Sequence, residues 1–288
     1  MARDFAYSNY FGIKHIRRRR AFLGVQILND FSACAVIVSD VHIVSGDDQK
    51  AQMLLEVLGR LEKEPVEALI LLGDIFDFCL GTHPFYQKKF LHIGRALERV
   101  VCSGTRVVFV EGNHEFALDG FAWQGVEFVT QATHYIKTAK GRSIQLGHGD
   151  LIYSHERYRK FRSVVKAKWF TGAARLLPGW FMDWIATRSA ALSRAQDEYR
   201  DINHADIMLA VNEWLDAGKG DIGLFGHFHV PYAEKRRDGQ EGGFYSVRCW
   251  DDKPNLLVLK DDQMFRIHLE QGKSWQLEKA TPMFGEEE

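Results

Sequence analysis

Ala68-Leu69-Ile70-Leu71-Leu72-Gly73-Asp74-Ile75-Phe76-Asp77 is the stretch on which the fold turns. Five apolar residues that stop at Gly-Asp predict a buried strand delivering a carboxylate to its C-terminal edge. That edge is where open α/β sheets place their ligands. A carboxylate has two oxygens, so Asp74 is suited to bridging two cations, which sit about 3.5–4 Å apart in two-metal hydrolases. Such a bridge needs further ligands, to be expected at the ends of other strands.

They follow in order along the chain. Cys34-Ala35-Val36-Ile37-Val38 predicts a strand ending in Ser39-Asp40-Val41-His42, and Asp40 and His42, two apart, share one side. Asp47-Asp48 then reads as the N-cap of a helix with apolar positions Met53, Leu54, Val57, Leu58 and Leu61, so residues 34–74 form a parallel βαβ unit. A second helix is expected from about Pro84 to Val101, burying Phe90, Leu91, Ile93, Leu97 and Val101. The strand Val107–Val110 follows and ends in Gly112-Asn113-His114-Glu115. Asn113 offers an amide oxygen, and His114 beside it is a candidate acid or phosphate contact. After a turn-rich stretch, Ser143–Leu146 leads into Gly147-His148-Gly149-Asp150, and Ile222–Phe225 leads into Gly226-His227-Phe228-His229. Five of the twelve histidines fall in these motifs. The other seven (His15, His83, His92, His134, His155, His204, His268) read as surface or packing residues. Residues 243–270 read as antiparallel strands that close the fold.

Between the fourth and fifth motifs the character changes. Residues 155–217 are helical in pattern, basic and crowded with aromatics, among them Tyr158, Phe161, Trp169, Phe170, Trp180, Phe181 and Trp184. They read as a helical cap inserted between two strands, with a surface that meets lipid or a bulky apolar ligand. The alternative is that these aromatics are ordinary helix-packing core.

The net charge of −1 conceals an asymmetry. Residues 1–20 and 156–175 together carry +11, leaving −12 on the rest. Two basic, aromatic-laced segments on an acidic body point to an anionic partner such as a lipid headgroup, a nucleotide or a nucleic acid, the alternative being two solvated faces. The first of them, with Arg17-Arg18-Arg19-Arg20, reads either as an interfacial amphipathic segment or as an extension without function. Cys34, Cys79, Cys102 and Cys249 form no CxxC pair and read as reduced thiols without a functional role. No run reaches the length of a transmembrane helix and the N-terminus lacks a signal-peptide pattern, so a cytoplasmic protein is expected, peripheral to the inner membrane.

The motifs DxH, GDxxD, GNHE, GHGD and GHFH, in that order and each after an apolar run, resemble the calcineurin-like metallophosphoesterase family over residues 40–229. The resemblance implies an α/β fold, a four-layer αββα sandwich with a helical cap insertion. The implied organisation is a basic, aromatic extension over 1–32, a phosphoesterase core over 33–154 and 218–275, the cap over 155–217, and an acidic tail over 276–288. It also implies two divalent metal ions, manganese favoured and iron or zinc possible. Asp40, His42, Asp74 and His229 would hold one ion and Asp74, Asn113, His148 and His227 the other. Asp74, Asn113 and His114 would be the catalytic residues, with Asp77 or Glu115 orienting nearby groups.

Within that family the chain looks most like the UDP-2,3-diacylglucosamine diphosphatases of bacterial lipid A biosynthesis. The likeness rests on His148-Gly149-Asp150 followed by a Tyr/Arg-rich helical insertion with Tyr158 and Phe161-Arg162, and on the insertion's length before Ala210-Val211-Asn212. It implies a nucleotide-lipid substrate, an acidic membrane surface as partner and no nucleic acid. Candidate substrate contacts are His114, Glu156, Arg157, Tyr158 and Arg162. That group often has Arg after the metal-binding Asn. His114 stands there instead, as in general phosphoesterases, and keeps open a soluble substrate such as a cyclic nucleotide or phosphoprotein.

Overall fold

The computed structural model describes residues 34–137, 141–154, 156–195, 204–218, 220–229, 233–235, 243–251, 253–260, 263–270 and 281–283. The extension expected over 1–32 and nearly all of the tail expected over 276–288 lie outside them.

The chain opens with β1 (Cys34–Val38), α1 (Gln49–Lys63) and β2 (Ala68–Leu71), the expected parallel βαβ unit. Asp48 caps α1, its Oδ1 accepting from the Ala51 amide at 2.6 Å, and the helix buries Met53, Leu54, Val57, Leu58 and Leu61. Next come the two-residue strand β3 (Cys79–Leu80), α2 (Pro84–Lys89), α3 (Leu91–Cys102) and β4 (Arg106–Val110). The single helix expected from Pro84 to Val101 is thus two. The chain bends at Phe90, whose ring stacks on Phe76 with centroids 4.0 Å apart. The bend shifts the helical phase and leaves Leu91 42% exposed instead of buried.

The turn-rich stretch holds β5 (Glu115–Phe116), a short 3-10 turn over Leu118–Phe121, β6 (Val126–Val129) and β7 (His134–Lys137), and leads to β8 (Ser143–Leu146). Four helices follow: α4 (Glu156–Val165), α5 (Lys168–Ala174), α6 (Gly179–Ala195) and α7 (His204–Gly218). The described chain finishes with β9 (Ile222–Phe225), β10 (Ala233–Lys235), β11 (Gly243–Ser246), β12 (Asn255–Lys260), β13 (Gln263–His268) and β14 (Thr281–Pro282).

These strands form a seven-stranded sheet, β14-β13-β12-β1-β2-β4-β6, and a five-stranded sheet, β10-β11-β9-β8-β7. In the first, β1, β2, β4 and β6 are parallel; in the second, β8, β9 and β11 are. The period-2 alternation of strand side chains sorts the first sheet's residues to two buried faces. Val36, Val38, Leu69, Leu71, Val107 and Phe109 face one core with α1 and α3. Ala35, Ile37, Ala68, Ile70, Val108 and Val110 meet Ile136, Ile144, Leu146, Ile222 and Leu224 of the second sheet. The outer face of that second sheet is covered by α7, whose Ile207, Met208, Val211 and Leu215 pack on Phe225 and Phe244. Four layers result, helix, sheet, sheet, helix.

Two expectations are corrected here. Helix α7, assigned to the cap from its position in sequence, is the fourth layer of the sandwich, because its apolar stripe is buried against the second sheet. Strand β11, expected among antiparallel closing strands, pairs in parallel with β9 and antiparallel only with β10. Helices α4–α6, the rest of the segment expected to be a cap, expose apolar side chains. Their ties to the sandwich include Met182, buried in the first core, and a Lys89–Asp183 ion pair at 2.8 Å.

Candidate metal centre

Five of the seven parallel strands, β1, β2, β4, β8 and β9, lead into one of the five motifs. The turns that follow are tight. Asp40, His42, Asp74, His227 and His229 adopt φ of 51°, 55°, 51°, 68° and 59°, five of the seven non-glycine residues in the left-handed region among those described. That region costs an L-residue about 1–2 kcal/mol, and strain of this kind collects where a site requires it. The glycines of the motifs are needed for a different reason, close approach. A Cβ on Gly112 would stand 2.1 Å from Asp74 Oδ1, and one on Gly226 would stand 2.2 Å from Asp40 Oδ2.

The side chains converge. Asp40 is fully buried and accepts from the His227 amide at 3.1 Å, with His229 Nε2 3.5 Å from its Oδ1. His42 Nε2 lies 3.3 Å from His229 Nε2. Asp74 Oδ1 accepts from the His114 amide at 2.9 Å, and its Oδ2 is 3.2 Å from His148 Nε2 and 3.9 Å from His114 Nε2. The Asn113 side-chain oxygen sits between His148 Nε2 at 2.8 Å and His227 Nδ1 at 2.9 Å. The structure therefore brings together all eight residues named from sequence as catalytic or metal-ligating. Oxygen and nitrogen ligands of Asp40, His42 and Asp74 lie within 4.8 Å of one another.

The outer hydrogen bonds fix which ring nitrogens face inward. A carbonyl oxygen only accepts, so His148 Nδ1 donates to Leu72 at 2.9 Å and His114 Nδ1 donates to Asp77 at 2.7 Å. In both rings Nε2 is left for the site. Fixing a ligating histidine through its other nitrogen is the usual arrangement at metal centres. Asp77 thus orients His114 through its backbone carbonyl. Glu115 works differently: it accepts from the amides of Asp74, Ile75, Phe76 and Gly112 at 2.9–3.1 Å, holding the two loops that carry Asp74 and Asn113.

The electrostatics of the cluster are set by buried carboxylates and imidazoles packed against one another. Burial pushes the Asp74 and Asp40 carboxyls up, yet His148 and the other imidazoles hold Asp74 well below the usual range, and His229 holds Asp40 below it. Burial alone would depress His148, but Asp74 raises it to about 10. His227 is driven to about 4 by burial and by the His148 beside it. Buried carboxylates and an amide oxygen, all acceptors, face imidazole rings and the backbone amides of His114 and His227. Divalent ions with oxygen and nitrogen preferences fit the same positions, so the residues present suit the metals the motifs imply.

The expected substrate contacts divide. Tyr158 and Arg162 turn inward from α4, the Tyr158 hydroxyl donating to Asp150 Oδ2 at 2.8 Å and Arg162 Nε to the same oxygen at 2.5 Å. Asp150 is 3% exposed and is the last residue of the His148 motif. Glu156 and Arg157 lie on the exposed side of α4, with Glu156 paired to Lys160 at 2.7 Å. Two positioning groups escaped the sequence reading. Lys166, just past α4, donates to Glu111 at 2.8 Å and to the Gly112 carbonyl at 2.6 Å, tying the cap to the loop that carries Asn113. Cys249, assigned no role from sequence, lies within 4.8 Å of ring nitrogens of His42 and His229. The signal that would have found Cys249 was the apolar run Phe244-Tyr245-Ser246-Val247 before it, the same pattern as at the other motifs. A cleft of about 500 Å³ lined by Tyr153, Arg159, Leu209 and Glu213 includes none of these clustered residues.

UDP-2,3-diacylglucosamine hydrolase of Klebsiella pneumoniae is 24% identical across 81% of this chain and 98% of its own length. The enzyme of the same name from Shewanella pealeana is 27% identical across 83% of this chain and 99% of its own. Among solved structures, the phosphoesterase Yfce from E. coli overlays with a TM-score of 0.41 at 17% identity, covering 84% of this chain and 96% of its own. Residues 35–231, from the first strand of the sandwich to just beyond the last histidine motif, match a single family description, and on that match the chain belongs to the calcineurin-like phosphoesterases, metal-dependent phosphohydrolases.

Proposed function

We propose that this phosphohydrolase cleaves the pyrophosphate of UDP-2,3-diacylglucosamine with water, giving UMP and 2,3-diacylglucosamine 1-phosphate. The observation that carries this reading is the cap. Trp169, Leu176 and Trp180 are 68%, 85% and 72% exposed, and Phe161, Phe170 and Trp184 are exposed with them. Apolar side chains presented together at a surface mark a contact with an apolar partner, here the acyl chains. Arg157, Arg159, Lys160, Lys168 and Arg175 are exposed on the same helices or beside them, and favour acidic headgroups at the cytoplasmic face of a membrane. No helix among the described residues is long and apolar enough to cross one. The relatives named above, matched over nearly their full length, support the same substrate.

In this reading Asp40, His42, Asp74 and His229 hold one cation and Asp74, Asn113, His148 and His227 the other, with manganese favoured and iron or zinc as alternatives. When bound, the two ions lower the pKa of the attacking water and draw charge from the phosphoryl oxygens. Asp74 would be common to both positions, and Glu115 keeps the loops of Asp74 and Asn113 in register. Tyr158 and Arg162 stand at the cap side of His148, where they meet the substrate's polar head. His114 presents Nε2 to the site. A phosphate leaving group, with a second pKa of about 6, departs without needing a proton. On this substrate His114 therefore serves as a contact to the transferring phosphoryl group through Nε2.

His114 also favours a second reading, a soluble ester such as a cyclic nucleotide or phosphoprotein, because an alkoxide leaving group does need a proton. The deciding assay is hydrolysis of UDP-2,3-diacylglucosamine in detergent micelles with manganese, run beside bis-p-nitrophenyl phosphate and a cyclic nucleotide. Metal-dependent release of UMP supports the lipid substrate; cleavage of the soluble esters alone overturns it. In either case Asp74→Ala and Asn113→Ala are expected to abolish turnover, and full activity in either variant would remove the site assignment.

A further inference from the structure

The second sheet brings one more strand end to the edge that carries the site. Because β11 runs parallel to β9, the residues after Ser246 arrive beside those after Phe225, and they read Arg248-Cys249-Trp250-Asp251. Cys249 is 3% exposed, and its sulfur and ring nitrogens of His42 and His229 all lie within 4.8 Å of one another. The next residue is pinned on two sides. The Trp250 amide donates to the Asp40 carbonyl at 3.1 Å, and its indole N–H donates to the Asn255 carbonyl at 2.9 Å. Cysteines buried in apolar cores are inert packing groups. This one instead meets two imidazoles that face the candidate cation position.

We propose that Cys249 is a ligand to the cation held by Asp40, His42, Asp74 and His229, and that its sulfur biases that position toward thiophilic ions such as zinc, iron(II) or cobalt(II) over manganese. The inference rests on the two-cation reading above and revises its metal preference at this one position. Thiolates select softer ions, whereas carboxylate and carbonyl oxygens suit manganese. The other position draws on Asn113, His148, His227 and the shared Asp74, with nitrogen and oxygen alone, so the two positions are chemically unequal. On coordination the S–H bond is replaced by a metal–sulfur bond, the proton leaves to solvent, and no electron is transferred. Asp251 Oδ2, 3.6 Å from the sulfur, is the nearby acceptor on its path.

The test is cobalt(II) titration of the metal-free full-length protein, read by absorption and by bound-metal stoichiometry. A near-ultraviolet sulfur-to-cobalt charge-transfer band is expected in the wild type and in Cys102→Ser, an exposed thiol remote from the motifs, and is expected to be lost in Cys249→Ser. Two bound cobalt ions without the band would overturn the inference and leave the two-cation reading standing. A band that survives in Cys249→Ser would overturn it as well. Failure to bind cobalt at all would remove both. X-ray absorption of the zinc-loaded wild type needs no variant: one sulfur neighbour at about 2.3 Å is expected, and a shell of nitrogen and oxygen alone would overturn the assignment.

Discussion

At the scale of single residues, the site depends on what is missing as much as on what is present. Gly112 has no Cβ because one would stand 2.1 Å from an Asp74 oxygen. Gly112→Ala is expected to displace the Asp74 carboxylate and lower metal affinity or turnover by about 10–100-fold, the usual effect of disturbing groups that hold ligands. Bound-metal stoichiometry together with steady-state kinetics checks it. A second expectation concerns protons. His148 is raised to about 10 by Asp74, so its added stability in the metal-free protein is complete below the ordinary imidazole value of about 6.5 and is lost as pH rises through about 10. A cation needs the neutral ring, so metal binding at pH 8 releases a proton and tightens as pH rises. Calorimetry in buffers of different ionisation enthalpy will show this; a heat that does not change with buffer would refute it.

At the scale of elements, the helices divide between those that pack by pattern and those that act by contact. Helix α1 was legible in sequence down to its cap, because Asp48 and a 3.6-residue apolar stripe are local signals. The break between α2 and α3 was not, since it follows from Phe90 stacking on Phe76 across the first core. The end of α4 carries the contact with the clearest consequence. Lys166 and Glu111 form an ion pair whose side chains are only 12% and 3% exposed. Removing one partner of such a pair leaves a buried charge and costs about 3–5 kcal/mol. Lys166→Met is therefore expected to destabilise the protein by about that amount in denaturant unfolding, and Lys166→Met with Glu111→Gln to recover part of it. Equal loss in the single and double variants would mean that the pair is not what ties the cap down.

For the whole molecule, the relevant feature is that a polar, strained cluster sits at the edge shared by two sheets while a basic, aromatic set of helices stands over one side of it. Replacing Trp169, Leu176 and Trp180 together by Ser is expected to raise KM for the proposed lipid substrate by at least about tenfold, through loss of apolar contact area. Hydrolysis of bis-p-nitrophenyl phosphate should fall far less. Kinetics with both substrates on one preparation decides it, and equal losses would place these side chains in folding instead of substrate binding.

The sequence by itself determined the local half of this protein: the strands that lead into the five motifs, the first helix with its cap, and the kinds of side chain waiting at those five strand ends. Those are properties of period 2, period 3.6 and residue type, and each can be read within a window of a few residues. What only the tertiary structure decided was which distant groups meet. His42 and His229, 3.3 Å apart, are 187 positions apart in the chain, and the motifs implied that meeting only through resemblance. The Lys166–Glu111 tie, the Glu115 cradle, the burial of α7 and the arrival of Cys249 had no such prompt. Each depends on sheet order and strand direction, set by the packing of two sheets against one core, and no local spacing encodes that.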